Sequence, residues 1–310
     1  MTRRIMLVSH PRRPDVAAAA REVTARFQQA GIEVLPAPDE VWAPDRSGIE
    51  HLLPGAGATG ARDCELVCVL GGDGTILRGA ELTRGSETPL LGVNLGHVGF
   101  LAEVEREDLA ATVEHIARRR YTVEERMTLE VVASVNDQTI ARSWALNEVS
   151  VEKAARERMI EVAVEIDGRP LSTWGCDGVV MATPTGSTAY AFSAGGPVVW
   201  PDVEAILLVP NAAHALFARP LVVGPNSRLA IELIDERLDG DPGVCAVMWC
   251  DGRRYNDLPG GARVEVTRSD TPVHLAHLDT GPFTDRIVAK FALSVQGWRG
   301  AARGQAPRGT

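Results

Sequence analysis

An α/β domain on a parallel sheet, followed by a mostly antiparallel β domain, is the fold that this sequence predicts. Three observations point to it. Up to about residue 125, short apolar runs alternate with helical stretches, as in a parallel sheet covered by helices. Beyond that point the apolar period becomes two: Ile160, Val162, Val164 and Ile166 alternate with Glu161, Ala163, Glu165 and Asp167. Finally, 310 residues, 45% of them hydrophobic, make more than one core.

Arg4 to Val8 is a short apolar run, read as a buried strand. Pro14 opens a helix to Ala30, with Val16, Ala20, Val23 and Phe27 on one face and Gly31 closing it. Ile32 to Leu35 reads as a strand, and 36–63, rich in Pro, Gly, Ala and acids, as a long mobile loop. Glu65 to Leu70 is continuous and apolar, as a central parallel strand should be. A glycine turn follows at 71–74, then a helix from Thr75 to Arg84, a strand from Leu90 to Asn94, and a helix over 107–119 with Leu109, Val113 and Ile116 inward. In the second half, Leu229, Ile231 and Leu233, and then Val264 and Val266, repeat the period of two, with hairpin signals at Asp167-Gly168 and Asp251-Gly252. The expected units are 1–125, 126–281, a helical segment 282–299 packing back on the first domain, and a frayed tail 300–310.

The net charge of −9 argues against nonspecific nucleic-acid or anionic-membrane binding. No apolar run reaches the roughly 18 residues of a membrane span. The five cysteines, Cys64, Cys68, Cys176, Cys245 and Cys250, form no CxxC pair, and no signal peptide is recognisable. Buried free thiols on strand-like runs in the cytoplasm are expected, rather than zinc or disulfides. His274 and His277 sit three apart on a strand, on opposite faces, and do not read as a metal pair. Arg118-Arg119-Arg120 ends a helix, where basic side chains suit the dipole.

Three signals carry chemistry. Gly71-Gly72-Asp73-Gly74-Thr75 lies between a buried strand and a helix, at the carboxyl end of a parallel sheet, where ligand crevices form. Glycines let backbone approach a polyphosphate, and the helix N-terminus adds N–H donors. A carboxylate there acts on a proton or a metal more readily than on phosphate. The loop lacks the Gly-Lys-Ser/Thr end of a Walker A motif; the only lysines are Lys153 and Lys290. Its spacing is also wrong for the redox dinucleotide fingerprint. The second signal, Asp177 through Tyr190, runs a strand into Thr183-Pro184-Thr185-Gly186-Ser187-Thr188, with more hydroxyls than a helix cap needs. The third, Asn147-Glu148, interrupts the apolar strand Trp144 to Val151 and by itself reads as an edge-strand position.

In this order, Gly71 to Gly74, Asn94-Leu95-Gly96-His97-Val98-Gly99-Phe100-Leu101, Asn147-Glu148 and Thr183 to Tyr190 resemble the motifs of the NAD kinase family, its actinobacterial branch most. The similarity runs from about residue 3 to 298. The glycine loop alone is shared with diacylglycerol, sphingosine and phosphofructo-kinases; the hydroxyl-rich run with the Asn-Glu pair is far more specific.

The resemblance implies an N-terminal diacylglycerol kinase-like domain holding the phosphate donor, and a β-rich domain that binds NAD and makes homodimers or homotetramers. It implies Asp73 as the catalytic carboxylate, acting on the 2′-hydroxyl of the adenosine ribose. Gly71, Gly72, Gly74 and Thr75 would hold the donor, ATP or polyphosphate. NAD contacts are implied at Asp73, Gly74, Arg78, Phe100, Asn147, Glu148, Arg158, Asp177, Thr188, Ala189, Tyr190, Ala191, Phe192, Ser193 and Ala212, with Phe100 against the adenosine. Magnesium or another divalent cation would come with ATP, without dedicated protein ligands. At Gly175, family members that also take polyphosphate tend to carry glycine and strict ATP users a charged residue; a bulge or close contact is the plain reading of that glycine. The rivals are a lipid kinase, which would want an apolar entrance or an amphipathic membrane helix, and a nonenzymatic NAD-binding regulator.

Overall fold

The computed structural model describes residues 2–10, 14–38, 61–95, 99–102, 109–234, 244–278 and 281–295. Most of the 36–63 stretch, Gly96-His97-Val98 within the second motif, and the tail lie outside the described residues.

The first half contains β1 (Arg4–Ser9), α1 (Pro14–Gln29), β2 (Glu33–Pro36), β3 (Leu66–Leu70), α2 (Asp73–Thr83), β4 (Leu90–Val93), α3 (Leu109–Ala117) and β5 (Thr122–Arg126). The rest contains β6 (Leu129–Val135), β7 (Gln138–Ala145), β8 (Glu148–Lys153), β9 (Ile160–Ile166), β10 (Arg169–Cys176), β11 (Gly178–Ala182), α4 (Tyr190–Ser193), β12 (Ile206–Asn211), β13 (Leu221–Val223), β14 (Leu229–Ile234), β15 (Val244–Cys250), β16 (Arg254–Pro259), β17 (Arg263–Arg268), β18 (Val273–His277) and α5 (Phe283–Phe291).

The first sheet has the order β2-β1-β3-β4-β18-β5. All its pairings are parallel except β18 with β5. Its central strand β3 is buried at every position, as the unbroken apolar run requires. Both faces are covered. Phe27, Val23 and Val16 of α1 and Ile116 of α3 pack on one, and Ile76 and Ala80 of α2 on the other. At the end of α1, Gly31 takes φ +75°, and Ile32 N–H reaches Phe27 O at 2.9 Å while Gly31 N–H reaches Gln28 O at 3.0 Å, the paired bonds of a Schellman cap. The helix after the glycine turn starts at Asp73, two residues before the expected Thr75. Gly72 is extended and serves as its N-cap, so Asp73 and Gly74 join the first turn. That helix lies unusually close to the sheet. A Cβ on Gly79 would come within 2.6 Å of Val69 Cγ2, and one on Gly92 within 2.4 Å of Ile76 Cδ1.

β18 is numbered within 126–281 but lies in the first sheet, between β4 and β5. The other two sheets, β10-β9-β14-β17-β6-β7 and β13-β12-β11-β8-β15-β16, are entirely antiparallel. Their inner faces meet around Trp174, Val162, Ile231, Met181 and Met248 in one shared core. Asp167-Gly168, with φ +55° and +73°, makes the tight β9–β10 hairpin that its sequence predicts.

The expected strand Trp144 to Val151 is broken. β7 belongs to the second sheet and β8 to the third, and the chain bends at Leu146–Asn147 to pass between them. The edge-strand reading of Asn147-Glu148 is therefore corrected: β8 is an interior strand, paired with β11 and β15. The polar residues mark a sheet change, not an edge. Cys64 precedes β3 rather than lying on a strand; all five cysteines are free. No helix among the described residues is long and apolar enough to cross a membrane.

Candidate active site

The glycine turn delivers Asp73 to the start of α2, at the carboxyl end of β3. Gly71 N–H holds Val93 O at 2.9 Å, and a Cβ on Gly71 would strike Thr75 Oγ1 at 2.6 Å. The Asp73 carboxylate does not cap its own helix. Its Oδ2 accepts from Phe100 N–H and its Oδ1 from Leu101 N–H, both at 3.1 Å. Gly99 permits this closure, since a Cβ there would lie 2.4 Å from Asp73 Oδ1. Gly72 and Gly74 are exposed, and among the described residues a Cβ on either would meet nothing within 4 Å. The packing of the described residues does not require those two glycines.

Arg78 lies one turn further along α2, half-buried; burial, with Arg253 nearby, holds its guanidinium below the usual range. The Phe100 ring stacks at 5.7 Å from Phe291, which in turn lies 4.8 Å from Phe192. Phe283 sits 6.2 Å from Phe100 and 5.4 Å from Trp200. Helix α5 thus packs against residues of both halves, not of the first alone.

On the other side, the hydroxyl-rich run is short of helix. Thr185–Thr188 is a tight 3₁₀ turn and α4 is four residues long. Its purpose in the fold is to sit on the Asn147 backbone. Thr183 N–H donates to Asn147 O at 2.9 Å, Thr183 Oγ1 donates to Leu146 O at 2.5 Å and accepts from Gly186 N–H at 3.1 Å. A Cβ on Gly186 would fall 2.0 Å from Asn147 O. Only glycine fits that approach. Asn147 is buried, and its Oδ1 has no hydrogen-bond partner. Glu148, 7% exposed, accepts from Tyr190 N–H at 3.3 Å. Burial, helped by the negative charge of Asp251, pushes its carboxyl up to about 8.

Tyr190 OH accepts from Asn211 Nδ2 at 3.1 Å and is hydrogen-bonded to Glu152. Asp177, between β10 and β11, pairs with Lys153 Nζ at 2.6 Å. Ala191 is buried under the turn, whereas Phe192 and Ser193 are exposed beside it. Ala212 follows Asn211 in a left-handed conformation, φ +48°, at the surface. Arg158 is exposed in the β8–β9 connection, and no described bond ties it to the others. At Gly175 there is no bulge, since the β10 irregularity falls at Pro170/Ser172, but there is a backbone contact: His214 N–H donates to Gly175 O at 2.8 Å, while among the described residues a Cβ at 175 would meet only Met159 Cε, at 3.9 Å.

The sequence reading missed one cluster. Asp251 Oδ1 accepts from Asn147 N–H at 2.7 Å and Glu148 N–H at 3.3 Å, and Oδ2 accepts from Leu146 N–H at 3.0 Å. Arg254 Nη2 donates to Asp251 Oδ2 and Trp144 O, each at 2.8 Å, and Nη1 pairs closely with Glu81 of α2. Arg253 pairs with the same Glu81 at 2.9 Å. Burial opposes the Arg254 charge, but Glu81 and Asp251 outweigh it and hold the guanidinium above its usual range. The only sequence trace of this cluster was the turn signal Asp251-Gly252 followed by two arginines.

Comparison with known proteins is consistent across the chain. Residues 5–121 match the ATP-NAD kinase N-terminal domain, and 146–278 the ATP-NAD kinase C-terminal domain. The NAD kinase of Thermobifida fusca is 56% identical over 309 residues, covering 97% of this chain and 92% of that protein. That of Leifsonia xyli is 58% identical over 302 residues, covering 96% and 97%. Among solved structures, yeast NADH kinase complexed with NADH superposes with a TM-score of 0.82 at 23% identity, over 95% of this chain and 89% of that one. An NAD kinase from Archaeoglobus fulgidus in complex with ATP gives 0.68 at 24%, over 94% and 99%. With both halves matched and relatives more than half identical over nearly its full length, the chain belongs to the ATP-NAD kinase family.

Proposed function

We propose that this chain is an NAD kinase, moving the terminal phosphate of ATP, or of inorganic polyphosphate, onto the 2′-hydroxyl of the adenosine ribose of NAD to give NADP. The observation that carries the reading is the Asp73 carboxylate, pinned by two backbone N–H groups between glycines whose bare backbone the packing of the described residues does not need. Gly71, Gly72, Gly74 and Thr75, at the positive end of α2, hold the donor phosphates. Asp73 orients the attacking hydroxyl and accepts its proton. Such transfers have loose transition states, so positioning counts for more than base strength.

NAD lies against the Asn147–Glu148 bend and the 185–193 turn, with Arg78, Arg158, Asp177 and Ala212 around it and Phe100 beside the adenosine. The buried, unpartnered Asn147 Oδ1 supports this, because a ligand donor would remove the cost of leaving it unsatisfied. A divalent cation, magnesium with ATP, supplies charge neutralisation on the phosphates. The half-exposed Asp73 is a hard oxygen donor at the start of α2. Such a donor fits magnesium, which takes one or two carboxylates together with phosphates and water. Five free cysteines support a cytoplasmic setting.

Purified chain with magnesium-ATP and NAD should make NADP, read with an NADP-specific dehydrogenase; none between about pH 6 and 9 would remove the reading. Asp73→Asn should lose roughly 10²-fold in kcat while NAD binding falls much less. An Asn variant with ordinary turnover would refute the catalytic role.

A second expectation concerns pH. A ribose hydroxyl donating to Glu148 binds the carboxylate more strongly than the neutral acid, whereas the free site holds a proton up to about pH 8. Binding then releases that proton, so KM for NAD should fall as pH rises, by up to roughly tenfold per unit. The fall should level off above about 8 and vanish in Glu148→Gln. A flat wild-type profile would contradict it.

The chain should assemble as a homodimer or homotetramer through the β-rich part. β10 is an edge strand, and the loop tied to it by His214 N–H to Gly175 O exposes Leu216 and Phe217, with Met159 and Leu171 also exposed. Such an apolar edge suits burial against a copy of itself. Light scattering of a fully active monomer at micromolar concentration would disprove this.

The donor range turns on Gly175, where there is room for a side chain. Wild type should form NADP from polyphosphate as well as ATP, and Gly175→Arg should lose polyphosphate use selectively, its rigid fork fixing one phosphate geometry. A wild type inert with polyphosphate, or a variant losing both donors equally, would defeat it.

A further inference from the structure

The bend at Leu146–Asn147 leaves three successive N–H groups outside any regular ladder, in a buried place where unpaired donors are costly. Asp251 takes all three on its two oxygens. The grip is reciprocal, because Asp251 N–H donates back to Glu148 O at 2.9 Å. Asp251 is itself fixed by Arg254, whose guanidinium stacks 4.5 Å above Trp144 and bonds Trp144 O. The Arg254–Glu81 pair then joins this turn to α2, and Arg253 reinforces the joint. Glu81 lies on the same helix as Asp73, about two turns along.

We propose that Asp251, with Arg254 and Glu81 behind it, is a positioning residue for the phosphoryl acceptor: it presents Asn147 and Glu148 to NAD and sets that bend in register with the helix that carries Asp73. The inference rests on the reading of Asn147 and Glu148 as NAD contacts. None of the three side chains need touch substrate. The work is done through the backbone of residues 146–148 and the axis of α2. A carboxylate is required at 251, since an amide would turn a donor toward N–H groups that need acceptors. The charge on Glu81 matters because two buried or half-buried arginines converge on it.

A side chain that only stabilised the fold would lower the melting temperature and leave KM of the folded fraction unchanged. A positioning residue separates the kinetic constants. Steady-state kinetics on Asp251→Asn, Glu81→Gln and, as a control, Asn147→Ala, run well below each variant's melting temperature, makes the distinction. Asp251→Asn should raise KM for NAD roughly tenfold or more while KM for ATP stays within about twofold, the loss typical of a charged hydrogen-bond partner. Glu81→Gln should leave both KM values near wild type and lower kcat roughly tenfold, because the two halves of the site lose their register. If Asp251→Asn does not fold, Arg254→Lys replaces it, keeping a charge but losing the forked contact, and the same rise in KM for NAD is expected. Unchanged KM for NAD in folded Asp251→Asn, or in Arg254→Lys where that replaces it, or unchanged kcat in Glu81→Gln, overturns the inference. An unchanged KM for NAD in Asn147→Ala would instead fall on the reading of the NAD site itself, and would take the inference with it.

Discussion

Asp251 is a carboxylate almost wholly removed from water, and three sheets are arranged around what it holds. Its oxygens accept from the three residues at which the chain leaves the second sheet and enters the third, and its cation partner reaches the helix beneath the glycine turn. Taking one partner from a buried, hydrogen-bonded set of charges costs about 3–5 kcal/mol, a large share of an ordinary domain's stability. The arrangement is therefore one in which the fold and the site share a constraint. The same residue that lies in the turn between β15 and β16 also pushes the neighbouring Glu148 toward its neutral form through its charge.

Glycine placement tells a similar story by a different force. Gly79 and Gly92 let α2 settle on the sheet, Gly99 lets a loop fall onto Asp73, and Gly186 lets the hydroxyl-rich turn rest on Asn147. In each case the absent Cβ makes a contact between elements that no side chain could make. Gly72 and Gly74 differ, because the space beside them is open. Neither has a positive φ, so neither is required by its backbone conformation.

Much of this was legible in the sequence. The central strands were visible because a parallel strand buried on both faces must be continuously apolar, as Leu66 to Leu70 is. Asp73 stood out because glycines, a strand end and a helix start coincide there. The start of α2 was misplaced by two residues because Gly72 was read as part of the turn rather than as a cap. What could not be read were relations between distant residues. Asp251-Gly252 satisfied a local turn signal, and no local pattern reports that a side chain also collects N–H groups about a hundred positions earlier. The sheet change at Leu146–Asn147 looked like one interrupted strand because both of its flanks are apolar. β18 looked like any strand of the β-rich part, since the partner that draws it away, Leu90, lies far back in the chain.

That return of β18 has a consequence for how the molecule comes into being. Among the described residues β5 has no neighbour in the first sheet except β18, and β18 is also what lies between β4 and β5. During synthesis the first sheet therefore stays incomplete, with an open edge at β4, until the strand Val273–His277 has left the ribosome. The β-rich part is an insertion within the first domain, so no single cut can separate the two as whole bodies. Pairing across so long a stretch of chain is slow to form, and the unfinished edge is the surface at which a nascent copy is most exposed to aggregation or to a chaperone.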